Sequence, residues 1–429
     1  MIRGAEYVVV GSGAGGASVA VELARRGKDV LVFERGPDLL GPGSHLFAML
    51  AVDGHGFRTS REGMGFARAL TTGGSTMVTC GTASRPPGGM LEAHGIDLAS
   101  DLAAAEAELG VAPLPDSHIG EATLTLMETG KRLGMNWKKL DKFIDAELCV
   151  PGRCNCMLGC RRGAKWTSRK PIEEAKGRGA RVISSARVTG IRVEGGRVAG
   201  VQVRLRARTL DIEAGTVILA AGGLGTPVLL KRAGIDRAGE GLFCDPLVFT
   251  IGVHPSLRGG FDPPMTVGTT DFWDDGFILL PVLDPWISFG LETWKAAPSR
   301  LPSWVRYPRT MGIMTKAKDE TTGRVYADGT FSKDLTDRDR ATLDRGVQIS
   351  KDVLRAAGCP AESLWVTKVR GAHPGGTCPV GGVVDADLAT GIDGLYVCDA
   401  SVLPSAMAAP IVLTLVALAK RLTRERLSA

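Results

Sequence analysis

The sequence predicts an α/β domain of Rossmann type that is interleaved with an α+β domain built on an antiparallel sheet. Three observations predict this arrangement. A β-branched run, a glycine-rich turn and an amphipathic helix fill residues 6–36, and another strand and helix lie within 394–421. Between them, residues 265–316 alternate polar and apolar side chains, which is typical of antiparallel strands. At 429 residues the chain is long enough for two domains.

Composition excludes several classes of protein. The net charge of +6 comes from scattered basic residues, and aromatic residues make up only 5%, so no nucleic-acid-binding surface is indicated. The longest apolar stretch, AMAAPIVLTLVALAK, contains a proline and is too short to span a bilayer. The chain enters its first strand too early for a signal peptide, so we expect no transmembrane segment and a cytoplasmic location.

The glycine-rich turn near the N-terminus has the context of a dinucleotide site. A short strand precedes Gly11, Gly13 and Gly16, and the next strand ends at Glu34. Gly11 permits a tight turn, Gly13 lets the backbone approach a pyrophosphate, and Gly16 allows close helix–strand packing. The helix N-terminus faces the phosphates, and Glu34 accepts a hydrogen bond from a ribose hydroxyl. This motif alone does not separate FAD from NAD.

Further motifs extend over most of the chain. They are ALTTGGSTMVTCGT (69–82), VILAAGGLGTPVLLKRAGI (217–235), GRVYADGTFSKDLTDRD (323–339), AHPGGT around His373, GLYVCDASVLP (394–404) and the helix led by Pro410. Together with the N-terminus, they resemble the glucose–methanol–choline (GMC) flavoprotein oxidoreductases. The resemblance is strongest in the flavin-binding parts and weak across 91–148 and 248–320.

The resemblance implies a p-hydroxybenzoate-hydroxylase-type fold and FAD as the cofactor. The implied FAD-binding domain comprises residues 1–90, 175–247 and 371–429, and the substrate-binding domain comprises 91–174 and 248–370. The positions carried over as FAD contacts are Gly11, Gly13, Ala14, Gly16, Glu34, Arg35, Gly73, Gly74, Ser75, Val188, Ala221, Asp399, Ala400, Pro410 and Ile411.

His373 is the candidate catalytic residue. Transfer of a hydride from an alcohol to flavin N5 requires a base for the hydroxyl proton, and histidine suits that role at neutral pH. The chain has six histidines, and His373 is the one within a motif of the resembled family. Relatives carry a second His or Asn just before the proline of the last helix, where this chain has Ala409. Another residue must supply that group, or the reaction is not ordinary alcohol oxidation.

Four cysteines lie close together in CVPGRCNCMLGCRRGAK (149–165), namely Cys149, Cys154, Cys156 and Cys160. Four soft thiolates in one loop suit a metal centre. Structural zinc usually has C-x2-C pairs, which this segment lacks, whereas iron–sulfur clusters accept more varied spacing. The pattern favours a [4Fe–4S] cluster in this loop, and disulfides, free packed thiols and zinc remain alternatives.

The sequence therefore predicts an FAD-dependent oxidoreductase that transfers hydride between a small, apolar or cyclic alcohol or ketone and flavin N5. Electrons would pass through the cluster to or from a ferredoxin-like carrier, as in a dehydrogenase rather than an oxidase. A reductase that saturates a C=C bond, and an electron-transfer flavoprotein without its own substrate, are the alternatives. The substrate, the direction of the reaction, the carrier and the oligomeric state stay open.

The middle of the chain predicts the substrate side. Four of the seven tryptophans, at 273, 286, 294 and 304, fall in a segment where WISFGLETW is interpreted as a strand. A sheet that covers the flavin with these rings would favour an apolar substrate. Helices are expected at 99–109, 121–134 and 336–357, the last with an acidic first turn that suits the helix dipole.

Overall fold

The first strand, the glycine turn and the first helix lie where the sequence predicted them. The computed structural model describes residues 3–55, 57–152 and 155–427. The strand Gly4–Val10 is buried over its last four residues, because its β-branched side chains face helices on both sides of a parallel sheet. It leads through the glycine turn into the helix Ala14–Arg25. The α/β prediction is confirmed for this part of the chain.

A mixed seven-stranded sheet carries this unit. Its strands, in spatial order, are Arg181–Ile183, Val30–Phe33, Gly4–Val10, Arg208–Leu219, Arg197–Leu205 and Ala186–Glu194, with Leu395–Val397 also beside Arg208–Leu219. The strands around Gly4–Val10 run parallel, and the last two in that order form antiparallel pairs. The carboxyl ends of five parallel strands therefore meet at one edge, which is where ligands bind in such sheets.

A second seven-stranded sheet is largely antiparallel. It contains Phe277–Pro281, Thr310–Ala317, Pro246–Val253, Arg370–Gly371, Gly65–Phe66 and Arg58–Thr59 in that order, with Trp365–Val366 beside Pro246–Val253. Smaller sheets join Glu240–Leu242, Gly323–Val325 and Phe331–Ser332; Lys138–Lys139 and Val267–Gly268; and Ala112–Pro113 and Asp141–Lys142. This sheet contains residues from both predicted domains, because 58–66 lie within the predicted FAD-binding domain, whereas 246–253 and 370–371 cross the predicted boundaries. The division into two domains stays a prediction.

Helices pack against both sheets. Their bounds are Ala14–Arg25, His45–Ala51, Ala99–Leu109, Glu121–Arg132, Arg169–Gly177, Thr226–Arg232, Trp286–Ala296, Asp337–Ala356 and Val412–Glu425. The three helices expected from sequence are confirmed within one or two residues. The helix Asp337–Ala356 begins with a capping box, in which Thr336 and Asp339 satisfy each other's backbone N–H groups. No helix in the described ranges is long and apolar enough to cross a membrane.

The interpretation of WISFGLETW as a strand was wrong. Residues Trp286–Ala296 form a helix that follows Pro285. Its buried residues include Phe289, Gly290 and Thr293, a spacing of three to four residues that belongs to a helix and not to alternation. The outward positions are also apolar, as Trp286 and Trp294 are about half exposed. Apolar residues on both faces hide the period, which is why the segment was misassigned.

Candidate active site

A cavity of about 470 Å³ opens at the carboxyl ends of the parallel strands. It brings together most of the positions predicted from sequence to bind a cofactor. Those in its wall are Gly11, Gly13, Ala14, Glu34, Arg35, Gly74, Ser75, Val188, Ala221, Asp399, Ala400 and Ile411, together with His373. They come from widely separated parts of the chain, between residues 11 and 411, so the wall is assembled by tertiary folding rather than by one motif.

The glycine turn leaves the space that a pyrophosphate needs. A Cβ on Gly11 would lie 2.2 Å from the carbonyl oxygen of Ala220, and the residue has φ +109°. A Cβ on Gly13 would meet no atom within 4 Å, because the residue faces the cavity. Gly13 also precedes the N-terminus of the helix Ala14–Arg25, whose dipole favours an anion there. These residues fit the diphosphate of FAD.

We expect Gly11→Ala to abolish retention of the flavin and to destabilise the protein. The new methyl would overlap the Ala220 carbonyl, and a left-handed φ is costly for alanine. The measurement is the ratio of flavin absorbance to protein in the purified variant. Gly27→Ala is the control, since Gly27 also has positive φ but lies in open space at the end of the helix. Equal flavin content in both variants would contradict the assignment.

Glu34 is buried at the end of the second strand and connects three segments. Its Oε2 accepts hydrogen bonds from the backbone and hydroxyl of Ser12, at 3.0 and 2.6 Å, and its Oε1 accepts one from the Gly36 N–H. The Ser12 hydroxyl in turn accepts a hydrogen bond from the Gly73 N–H. Burial raises the pKa of the Glu34 carboxyl, and these donors oppose that rise. Glu34 therefore connects the glycine turn to the second glycine-rich loop, which comprises residues 69–82.

Asp399, like Glu34, connects separate segments of the cavity wall through hydrogen bonds to its carboxylate. Its Oδ1 accepts hydrogen bonds from the backbone and hydroxyl of Ser401, and its Oδ2 accepts them from the Gly222 N–H and the Thr226 hydroxyl. This carboxylate joins the loop after the strand Arg208–Leu219 to the turn after Leu395–Val397. Ala221 and Ala400 consequently face the same cavity.

Three of the sequence-predicted contacts are not in the cavity wall, namely Gly16, Gly73 and Pro410. A Cβ on Gly16 would lie 2.2 Å from the Gly11 carbonyl oxygen, so this glycine serves the packing of helix against turn. Gly73 lies behind the wall, where it donates to Ser12. Pro410 immediately precedes Ile411, which does reach the cavity.

Sequence reasoning missed a group of arginines in the wall. Besides Arg35, the cavity is lined by Arg58, Arg68, Arg187 and Arg232. Arg68 pairs with Asp53 at 2.6 Å, while burial and the neighbouring arginines lower the pKa of Arg187. Such an excess of positive charge suits a diphosphate. These arginines lie far apart in the sequence, so no local motif indicated that they share one cavity.

His373 is placed by the second sheet. It follows the strand Arg370–Gly371, which pairs with Pro246 and Leu247 of the neighbouring strand. Its Nδ1 lies 2.9 Å from Oδ2 of Asp245 and 2.8 Å from Nζ of Lys316. Both contacts use Nδ1, so the other ring nitrogen, Nε2, remains for the cavity that His373 lines. The ring side chain is 21% exposed, whereas Asp245 is 0% and Lys316 is 2% exposed.

Asp245 and Lys316 were not identified from the sequence. Adjacent strands bring them together, since Leu247 pairs with Lys316 across the sheet. A signal was nevertheless present, because Lys316 is the one basic residue in the buried run TMGIMTKA. A lysine in a fully buried strand requires a partner. The partner could not be named because Asp245 lies on a different strand, far away in the sequence.

The segment before the last helix has a special backbone. Ala408 has φ +54°, and its N–H donates to Oδ1 of Asp245 at 2.8 Å. Asp245 itself has φ +47°. Ala409 is buried and contributes no polar group, as the sequence indicated. One carboxylate therefore holds both His373 and the segment in which the second polar residue is missing.

The expected aromatic cover over the cavity is not present. None of Trp273, Trp286, Trp294 and Trp304 belongs to the cavity wall. Trp286 and Trp304 pack against each other at 5.3 Å between ring centroids, and Trp294 is exposed. Trp273 is covered by the ammonium of Lys318. These rings were assigned to the sheet because the helix Trp286–Ala296 was taken for a strand.

The cysteine loop is described in part. Cys149, Cys156 and Cys160 line one small cavity with Lys142 and Lys165, while Cys154 lies outside the described residues. No cysteine in the described ranges is in a disulfide. Within those ranges, no group of three or more His, Cys, Asp or Glu side chains is arranged to hold a metal ion. The donor chemistry suits a cluster, and the described residues do not form its site by themselves.

A lysine connects this loop to the larger cavity. The buried Lys165 Nζ donates to the carbonyl oxygens of Met77, Thr79 and Cys156, at 3.0, 2.7 and 2.9 Å. Thr79 belongs to the wall of the larger cavity. The cysteine loop is thus fastened directly to the second glycine-rich loop.

Comparison with known proteins places this geometry among flavoenzymes. Residues 5–252 and 308–419 match the N-terminal and C-terminal parts of the GMC oxidoreductase family. An uncharacterised GMC-type oxidoreductase of Mycobacterium tuberculosis is 30% identical over 460 residues, covering 94% of this chain and 72% of the relative. A long-chain-alcohol oxidase of Arabidopsis thaliana is 24% identical, covering 94% of this chain and 65% of that protein.

Structural similarity agrees with the sequence matches. The crystal structure of pyridoxine 4-oxidase from Mesorbium loti superposes with a TM-score of 0.75, covers 99% of each chain and is 18% identical. This likeness concerns the fold. It agrees with the α/β fold of Rossmann type combined with an antiparallel sheet that the sequence predicted.

Proposed function

Because the chain belongs to the GMC oxidoreductase family, whose cofactor is FAD, we propose that it oxidises a small, apolar or cyclic alcohol. His373 is the base that takes the hydroxyl proton. The observation that carries this proposal is the position of His373 in the wall of a cavity whose glycine turn fits FAD, with Nδ1 held by buried charges and Nε2 left for the substrate. FAD, when bound, supplies the hydride acceptor.

The chain's own residues bind the cofactor, leave room for its ring system and orient the base. Gly11, Gly13 and the helix N-terminus hold the diphosphate, and Glu34 bonds the ribose. Ala221 and Ala400 leave room for the ring system, since they carry no bulky side chain. Asp245 and Lys316 orient the imidazole, and Nε2 accepts the alcohol proton as the C–H bond breaks.

The relatives support the substrate class. The named proteins that this chain resembles are a long-chain-alcohol oxidase and pyridoxine 4-oxidase, and the substrate in each name carries a hydroxyl group.

The test is anaerobic mixing of the purified holoenzyme with long-chain, cyclic and short polar alcohols, followed by flavin absorbance. We expect bleaching of the flavin by an apolar alcohol and none by the matching alkane. Bleaching must be slower by about 10²–10⁴-fold in His373→Gln with the same flavin content. If no alcohol bleaches the flavin, and dithionite-reduced enzyme is reoxidised by enones, the proposal is wrong and C=C reduction replaces it.

We further propose that Cys149, Cys154, Cys156 and Cys160 would hold a [4Fe–4S] cluster. Such a cluster would supply one-electron transfer between the flavin and a ferredoxin-like carrier, so the enzyme would be a dehydrogenase. Three of these cysteines line one cavity, and Lys165 fastens that loop to Thr79 beside the flavin site. Cys154 would complete the ligand set.

Iron and acid-labile sulfide in anaerobically purified protein test the relay. We expect about four of each per flavin, lost in Cys156→Ser with the flavin retained. Cys359→Ser is the control, because Cys359 is buried beside Met311 far from this loop. Flavin without iron in the native protein, together with rapid reoxidation by oxygen, would establish an oxidase instead.

A further inference from the structure

Two buried side chains, Lys316 and Asp245, both contact Nδ1 of the partly exposed His373. Nδ1 of His373 is 2.8 Å from Nζ of Lys316 and 2.9 Å from Oδ2 of Asp245, and these two partners are 3.2 Å apart. A neutral imidazole carries one proton, on Nδ1 or on Nε2. Nδ1 can therefore donate to Asp245 or accept from Lys316, and it cannot do both at once.

The two arrangements give Nε2 opposite roles. When the Lys316 ammonium donates to Nδ1, the ring proton is on Nε2, which can donate but cannot act as a base. When Nδ1–H donates to Asp245, Nε2 has a lone pair and can take the proton of an alcohol. An ammonium opposite Nδ1–H would place two donors against each other. The second arrangement therefore favours an uncharged Lys316.

We propose that Lys316 is a positioning residue that sets the tautomer of His373, so that Nε2 becomes a base when Lys316 has given up its proton. The proton moves along the hydrogen bond from Nζ to Nδ1 while the Nε2 proton leaves to water in the cavity. The cluster loses one proton in total. This inference rests on the proposed alcohol oxidation and concerns the control of the same site.

The surroundings favour loss of that proton. Burial lowers the pKa of Lys316 against the pull of Asp245, and burial together with the charge of Lys316 lowers the pKa of His373. The charge of Lys316 and the His373 hydrogen bond keep the pKa of Asp245 low in spite of burial. Asp245 therefore stays an anion in both arrangements.

A second buried ion pair, between Asp319 and Lys333, holds the backbone of Asp245 in place. Asp319 accepts hydrogen bonds from the backbone N–H groups of Cys244 and Asp245, and it pairs with Lys333 at 2.7 Å. The Cys244 thiol, whose pKa burial raises, and Lys318 complete the titratable groups that face the cluster. Lys333 neutralises the charge of Asp319, just as Lys316 neutralises the charge of Asp245. When Lys316 loses its proton, no neighbouring group offsets the change of charge beside His373.

The pH profile of kcat/KM for alcohol oxidation in Lys316→Met tests the proposal through its sign. If Lys316 carries the controlling proton, its removal frees Nδ1 for Asp245 and moves the acid limb of the profile to lower pH, by about one unit or more. If Lys316 is merely a nearby positive charge, its loss stabilises the imidazolium and moves the limb to higher pH. A limb that moves up or stays in place would overturn the proposal.

The control is Lys318→Met, which removes another lysine near the end of the same strand. Lys318 donates to the Trp273 carbonyl and acts on Asp245 only through its charge, so we expect the acid limb to move far less than in Lys316→Met. The flavin spectrum of each variant reports whether it has folded.

Nitrogen NMR of ¹⁵N-histidine-labelled native holoenzyme tests the same point without a variant. His373→Gln assigns the ring signals by difference. We expect the proton to be on Nε2 at low pH and on Nδ1 at high pH, with a neutral ring on both sides of the transition. A direct change from imidazolium to neutral ring would refute control by Lys316. If no alcohol is oxidised but the tautomer exchange occurs, the proposed function fails and the tautomer control stands.

Discussion

Replacing His373 by glutamine is expected to lower kcat for alcohol oxidation by about 10²–10⁴-fold, the usual contribution of a positioned general base. Glutamine occupies similar space but cannot accept a proton at neutral pH. The flavin should remain bound, because the cavity wall around the glycine turn is unchanged. The measurement is single-turnover bleaching of the flavin by the best alcohol, which separates the chemical step from reoxidation.

His254→Gln is the matched control. His254 is also buried, and its Nδ1 accepts hydrogen bonds from the backbone of Ser256 and Leu257, away from the cavity. We expect its turnover to match that of the native enzyme within about threefold. If His373→Gln behaved like this control, the chemistry would lie elsewhere, and a flavoprotein without its own substrate would become the better description.

Asp245→Asn is expected to reduce both stability and turnover. It leaves the Lys316 ammonium buried without its carboxylate, which costs about 3–5 kcal/mol in free energy of unfolding. Asparagine retains the tolerance for positive φ that this position needs, so the loss reflects charge. Its amide can donate to Nδ1 and hold the ring proton on Nε2, which removes the base. Equilibrium urea unfolding and single-turnover bleaching measure the two effects.

The loss of stability in Asp245→Asn should depend on pH. Without Asp245, the pKa of Lys316 in the folded state falls further below its value in the unfolded chain, which then binds more protons than the folded state. Stability therefore rises with pH, and the deficit is largest in acid. Adding Lys316→Met should restore most of the stability and none of the turnover. If the double variant were as unstable as the single one, the pairing of these two charges would not explain the effect.

Local patterns predicted the parts of the fold whose residues are consecutive. The strand, glycine turn and helix at 4–25 depend on neighbours within a few positions, and so does the capped helix Asp337–Ala356. Their sequences carry the signal because the physical requirement is local. The family resemblance then placed the residues of the cofactor cavity that come from distant segments.

Other features depend on contacts that no local pattern reports. Asp245 and Lys316 are 71 positions apart, and strand register alone makes them neighbours. The helix Trp286–Ala296 was missed because its outer face is apolar as well as its inner one. In both cases the deciding interaction lies across the fold, between residues whose sequence neighbours look ordinary.

The strand order of the parallel sheet has a consequence for how the protein is made in the cell. Gly4–Val10 must wait for Arg208–Leu219 before its edge is paired, and Arg208–Leu219 must wait for Leu395–Val397. The helix Ala14–Arg25 also packs against Val412–Glu425. During synthesis the glycine turn therefore emerges early, while the opposite wall of its pocket emerges last. Cofactor loading must follow completion of most of the chain, and until then unpaired strand edges are open to chaperones and to aggregation.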